Sequence, residues 1–231
     1  MAPGIHRLGN ELVNFYLVED GEERMLIDAG LRGFLGQVEG VQIGAVLLTH
    51  AHGDHVGIAE PVREAGATVY VHERDAEMAR TAKYPARERS MRPYFRHRAT
   101  WELLWVGLRN GAMSNVKIAE VTPFGDDAAL DVPGSPRVIP TPGHSDGHVC
   151  FHFPDRGALI VGDALCTRNP LTGRTGPQLM PGAFSVSSPR ALASLERIEG
   201  LEAGVVLVGH GDPWTGGVDT AVARAREAGF S

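Results

Sequence analysis

Three observations predict that this 231-residue chain is an α/β protein of two mixed β-sheets packed face to face with helices outside. Strand-sized apolar runs recur along its whole length. Helical patterns interleave with them without the strict βαβ alternation of a purely parallel sheet. And the chain opens on a hairpin, so antiparallel strands begin a sheet that parallel strands must then extend. At 24.8 kDa, with 43% hydrophobic residues, the chain is long enough to bury a substantial core, and one domain spanning 1–231 is expected.

The hairpin is read from Leu12-Val13-Asn14-Phe15-Tyr16-Leu17-Val18 and Arg24-Met25-Leu26-Ile27-Asp28, joined by the acidic turn Glu19-Asp20-Gly21. A strand over 45–49, a helix over about 57–65, a strand over 67–71 and a helical stretch from about 73 follow. Further strands are predicted near 137–141, 148–153, 158–162 and 204–208. Helices are predicted near 189–199, where Ser188 caps and Pro189 fills the first helical position, and near 217–228 in the alanine-rich tail.

Between them, roughly 81–115 reads as a helical aromatic insertion. Trp101, Leu104, Trp105 and Leu108 fall at i, i+3, i+4 and i+7, one face of a helix. Such a stripe packs on the core, walls an apolar substrate pocket, or forms a homodimer contact. Arg87, Arg89, Arg92, Arg96 and Arg98 either hold an acidic substrate group or form a solvated face.

The chemistry concentrates in Leu48-Thr49-His50-Ala51-His52-Gly53-Asp54-His55, directly behind an apolar strand. Alternation along an extended chain points His50 and His52 the same way, and the Gly53 turn lets Asp54 and His55 swing back. One short segment can therefore face two metal positions. Downstream, His144 stands in the turn Thr141-Pro142-Gly143-His144-Ser145-Asp146-Gly147-His148, Asp163 follows 158–162, and His210 follows 205–209. Each stands at a strand end or in a Gly/Pro turn, where α/β architectures place their chemistry.

The HxHxDH segment, followed by a spaced His, Asp and His, resembles the metallo-β-lactamase superfamily, in particular its glyoxalase II-like and lactonase-like hydrolase branches. The resemblance implies a four-layer αββα sandwich with metals at one edge. It implies that His50, His52 and His144 bind a first metal, that Asp54, His55 and His210 bind a second, and that Asp163 bridges the two. Asp163 stands where some true β-lactamases carry cysteine, which favours ester, thioester or lactone hydrolysis. Asp28, at the end of Met25-Leu26-Ile27, is expected beneath the metals, accepting the free ring N–H of a ligand histidine. His148, four residues past His144, is read as a donor just behind the ligands, with a spare ligand or a polar strand end as the alternatives. His6, His72, His97 and His152 have no partner motif and are read as ordinary histidines, and Asp146 as a turn residue.

The ligand types suit two divalent ions, zinc foremost, with iron or manganese as alternatives. Paired ions polarise a carbonyl and bring bound water to a pKa near 7, which supplies a metal-bound hydroxide without a serine or cysteine nucleophile. Asp54 is the expected route by which the leaving group is protonated. Three other readings compete: a mononuclear iron enzyme of the persulfide dioxygenase type, a β-lactam hydrolase, and a non-catalytic binding module. The last would leave imidazoles and carboxylates buried without compensation.

The formal charge of −6 and pI near 5.9 argue against nucleic acid as a partner. No apolar run approaches the ~18 residues of a membrane span, so no membrane partner is expected, and the partner is a small-molecule substrate. The start of the chain has neither a basic nor an apolar leader pattern, and Cys150 and Cys166 are the only cysteines, so a cytoplasmic location with two buried thiols is expected.

Overall fold

Alternate side chains of each strand enter different cores, and this is what stacks the molecule in layers. The computed structural model describes residues 2–112, 115–126 and 128–230; residues 113 and 114 of the expected insertion lie outside them. The first sheet runs in order β1 (Ile5–Gly9), β2 (Asn14–Asp20), β3 (Glu23–Ile27), β4 (Ala45–Leu47), β5 (Thr68–His72) and β6 (Thr122–Phe124). It is antiparallel through β3 and parallel from β3 to β6. In the second sheet β7 (Arg137–Pro140), β8 (Val149–Phe153) and β9 (Ala158–Gly162) pair antiparallel. The strand β12 (Val205–Val208) adds parallel to β9. A hairpin of β10 (Cys166–Arg168) and β11 (Thr175–Gln178) stands apart.

Met25, Ile27 and Leu47 of the first sheet meet Phe151, Ile160 and Leu207 of the second in the central core. Their neighbours Leu26, Val46 and Val69 face the other way, against α1 (Ala59–Glu64) and α2 (Ala76–Thr81). On the far side Leu159, Val161 and Val206 pack under α4 (Ser188–Ser194) and α5 (Val218–Ala228). The result is a helix–sheet–sheet–helix sandwich, the four-layer αββα arrangement expected above.

Several boundaries differ from expectation. Asp28 adopts φ of 61°, in the left-handed region, so β3 stops at Ile27. Ser187, not Ser188, caps α4, its hydroxyl accepting from the Arg190 N–H. β1, β6, β10 and β11 carry too little apolar alternation to stand out in the sequence. They exist because a neighbouring strand supplies their hydrogen bonds.

The aromatic segment forms α3 (Arg98–Arg109), preceded by a 3₁₀ turn over 92–96. Its inner face is Thr100, Leu103 and Val106, with the Thr100 hydroxyl donating to Tyr94 and Leu171 carbonyls at 2.8 Å. The stripe Trp101, Leu104, Trp105 and Leu108 is exposed, so it does not pack on the core. Cys150 and Cys166 are buried free thiols.

Candidate metal centre

Every predicted ligand reaches one edge of the sandwich because every one follows a strand pointing that way. His50–His55 follow β4, His144 lies between β7 and β8, and Asp163 and His210 follow β9 and β12. Ligating atoms of His50, His52 and His144 lie within 4.8 Å of one another, as do those of His50, His55 and Asp163, and those of Asp54, His55 and His210. The Asp163 carboxylate is central, 3.2 Å from His144 Nε2, 3.3 Å from His210 Nε2, 3.5 Å from His55 Nε2 and 3.9 Å from His50 Nε2. Asp54 Oδ2 lies 3.5 Å from His210 Nε2 and 4.0 Å from His55 Nε2.

Bonds to the outer ring nitrogens orient four of the rings and settle the tautomers of His50, His55 and His210. His55 Nδ1–H donates to Asp28 Oδ2 at 2.8 Å. The Thr49 hydroxyl donates to the Asp28 carboxylate and therefore accepts from His50 Nδ1–H at 3.0 Å. His210 Nδ1–H donates to the Leu12 carbonyl, and His144 Nδ1 meets the Ser185 hydroxyl at 3.2 Å. His50, His55 and His210 thus commit Nδ1–H outward and turn Nε2 inward, and His144 turns its Nε2 inward beside them. His52 turns Nδ1 inward, 2.8 Å from His144 Nε2.

Ring nitrogens crowded against one another and against a carboxylate call for positive charge between them, which a bound cation supplies. His50 Nε2, His55 Nε2 and Asp163 Oδ1 are buried and, among the described residues, have no hydrogen-bond partner. In a folded interior such atoms are costly unless something coordinates them. The residues present therefore fit divalent metal.

The electrostatics divide the cluster in two. Burial holds His50, His52 and His144 below the usual imidazole range, so these rings stay neutral with lone pairs free. Burial also opposes charge on His55 and His210, but carboxylates outweigh it: Asp163, Asp28 and Asp54 push His55 up to about 10, and Asp163 raises His210. Burial raises the Asp163 carboxyl, yet His210, His55 and His144 hold it well below the carboxylate range. The carboxylate half thus favours positive charge and the imidazole half offers neutral donors.

His148 does not join the cluster. Its Nε2 accepts the Asp163 backbone N–H at 3.1 Å, so its Nδ1–H faces the Thr141 hydroxyl at 2.8 Å; burial pushes it down to about 3 and keeps it neutral. It holds the backbone that carries the central carboxylate. His6, His72, His97 and His152 bond elsewhere, to Glu19, Asp126, Arg96 and the Glu202 carbonyl.

Sequence reasoning missed several residues. Asp75 is buried after β5 and accepts from Ser145 Oγ at 2.6 Å, Gly147 N at 2.8 Å and Ala51 N at 3.3 Å, which clamps the two histidine loops together. Its position just past a strand end was the available signal. Gly209 leaves room for the site, since a Cβ there would lie 2.3 Å from Asp163 Oδ1 and 2.8 Å from His55 Cε1. The Tyr84 ring lies tilted against His52 with ring centroids 5.7 Å apart, and its hydroxyl lies over Gly53, 3.1 Å from where a Cβ would be.

A cavity of about 300 Å³ opens over the cluster. Buried His144, Asp163 and His210 form its floor. Leu31, Leu103, Leu104, Leu108, Met180 and Phe184 make its walls apolar, with Tyr84 and Arg87 adding polar groups. The insertion thus borders the cavity through its leucines; Trp101 and Trp105 are not among the lining residues.

Residues 8–210 match a family model described as the metallo-β-lactamase superfamily, and the chain belongs to that superfamily. The probable metallo-hydrolase YflN of Bacillus subtilis is 26% identical over 249 residues, covering 93% of this chain and 86% of its own length. A protein designated TTHA1623, solved in a di-iron-bound form, is 30% identical with a TM-score of 0.60, covering 94% of this chain and 96% of that one. Hydroxyacylglutathione hydrolase of Rhizobium meliloti is 29% identical over 150 residues, covering 64% of this chain and 41% of its own length.

Proposed function

We infer that the protein is a binuclear metal-dependent hydrolase of an ester, thioester or lactone. The observation that carries this reading is the set of inward lone pairs around Asp163, whose outer nitrogens are already bonded. His50, His52 and His144 would hold one ion, Asp54, His55 and His210 a second, with Asp163 shared between them. The ions are zinc, with iron the alternative supported by the di-iron relative. Bound there, two divalent ions supply Lewis acidity and hydroxide at neutral pH.

The chain's own groups do the rest. Asp54, about a third exposed and facing the cavity, is placed to pass a proton to the leaving atom. The Tyr84 hydroxyl, kept protonated by burial and by Asp54, can donate to a substrate oxygen. The leucine walls exclude water and bind an apolar acyl or ring substituent. The match to part of a hydroxyacylglutathione hydrolase supports acyl transfer to water over redox chemistry.

The test is a panel of lactone, ester, thioester and β-lactam substrates, each with a short and a long apolar chain, assayed before and after chelation. Carbonyl esters, thioesters or lactones are expected to turn over only in the metal-loaded protein. Leu104→Ala and Leu108→Ala should raise KM about tenfold for the long-chain member and little for the short one, each losing ~1–3 kcal/mol of ground-state contact. Turnover confined to β-lactams, or persulfide oxidation without hydrolysis, would refute the reading.

A further inference from the structure

The whole-chain charge of −6 averages over two regions of opposite sign. Residues 80–109 contain eight Lys and Arg against two acids, Glu88 and Glu102, so this segment carries +6 and the rest of the chain −12. Both acids are committed to the body of the protein: Glu102 pairs with Arg168 at 2.7 Å, and Glu88 accepts from the Ser188 N–H. The eight cations are all exposed, and none forms an ion pair among the described residues. Outside the segment most arginines are paired with carboxylates, as Arg7, Arg63 and Arg226 are.

The same segment carries an apolar ridge. Trp101, Trp105 and Leu108 are 58%, 59% and 62% exposed, and Phe95 sits beside Trp101 with ring centroids 5.6 Å apart. The ridge is ordered: Trp101 Nε1 donates to the Phe95 carbonyl at 2.9 Å, and the Arg109 guanidinium lies 5.7 Å from the Trp105 ring centre. Contiguous apolar surface of this kind marks a contact face.

Charge decides what covers it. A two-fold contact between copies would bring the +6 segment against itself. An anionic lipid surface offers an acyl boundary for the indoles and phosphates for the guanidiniums. α3 has 12 residues, about 18 Å at ~1.5 Å each, against a hydrocarbon core of ~30 Å, so it can lie in the interface and cannot span it. No described helix is long and apolar enough to cross a membrane.

We propose that this face docks on an anionic phospholipid bilayer, with Trp101 and Trp105 at the acyl boundary and Arg92, Arg96, Arg98 and Arg109 against lipid phosphates. Leu104 and Leu108 belong to both the ridge and the cavity wall, so docking sets the cavity rim against the lipid. The proposal stands whether or not the cluster is hydrolytic.

The experiment is co-sedimentation of the full-length, metal-loaded protein with vesicles of phosphatidylglycerol and phosphatidylcholine in equal parts, and with phosphatidylcholine alone. Binding is expected to the anionic vesicles only, with a blue shift of tryptophan emission. It should fall steeply at about 1 M salt, where the screening length is ~3 Å. Arg96→Ser with Arg98→Ser should weaken binding roughly 25-fold, about fivefold per charge. Trp101→Ser with Trp105→Ser should weaken it about tenfold or more and remove the blue shift, with melting unchanged because both rings are exposed. Equal binding to both vesicles, binding to neither, or binding that survives both double variants would overturn the proposal. So would light scattering that shows a dimer which Trp105→Ser splits.

Discussion

Asp163→Ala is expected to cut hydrolysis by roughly a thousandfold and to weaken metal binding at both halves of the cluster together. The carboxylate lies within 3.9 Å of four inward imidazole nitrogens, two from each half. Its removal takes away the negative charge that two neighbouring cations would share. Lewis-acid stabilisation is worth several kcal/mol, and about 4 kcal/mol at 1.36 kcal/mol per decade is that thousandfold. Asp163→Asn keeps the shape and the His148 contact to the backbone but not the charge, so it should recover little activity. Metal titration separates the outcomes: joint loss from both positions is expected, and full metal content with near-normal turnover would refute the shared role.

Asp28→Asn should have the second largest effect, although its carboxylate is not a proposed metal ligand. Asp28 accepts from the Thr49 N–H at 2.8 Å, from the Thr49 hydroxyl and from His55 Nδ1–H. Through Thr49 it also orients His50. One aspartate therefore sets the tautomer of a histidine in each half. Asparagine tolerates the left-handed backbone found here, at φ of 61°, but replaces one accepting oxygen with a donor facing other donors. Metal affinity should drop about 10- to 100-fold, the usual cost of removing such a partner, with melting lowered by only a few degrees. Asp28→Ala adds backbone strain and leaves buried donors unpaired at ~1–3 kcal/mol each, so it should lower melting much further. If Asp28→Asn left affinity for the metal unchanged, the tautomer argument would fail.

The layered sandwich was legible because β2, β3, β8, β9 and β12 are long apolar runs whose alternate residues feed two cores. The cluster was legible because its residues end those strands or sit in the adjoining turns, and spacing within 50–55 is a local property of the chain. What could not be read is what depends on distant partners. β1 and β6 are strands only because β2 and β5 lie beside them. Asp75 clamps the two histidine loops from 24 and 70 residues away, and its place just past β5 marks it as a candidate without announcing either partner. Periodicity found the face of α3 but not its direction: Thr100, Leu103 and Val106 turned inward and the tryptophan stripe turned out.

The central claim is that five imidazoles and two carboxylates form one two-ion centre. Metal stoichiometry tests it most directly, by elemental analysis of protein purified in excess zinc or iron, passed through desalting and followed by chelation. About two ions per chain are expected, three protein donors to each with one shared carboxylate, together with loss of hydrolysis and a lower melting temperature when both are stripped. A reproducible single ion per chain, or none, under metal-replete conditions would contradict it.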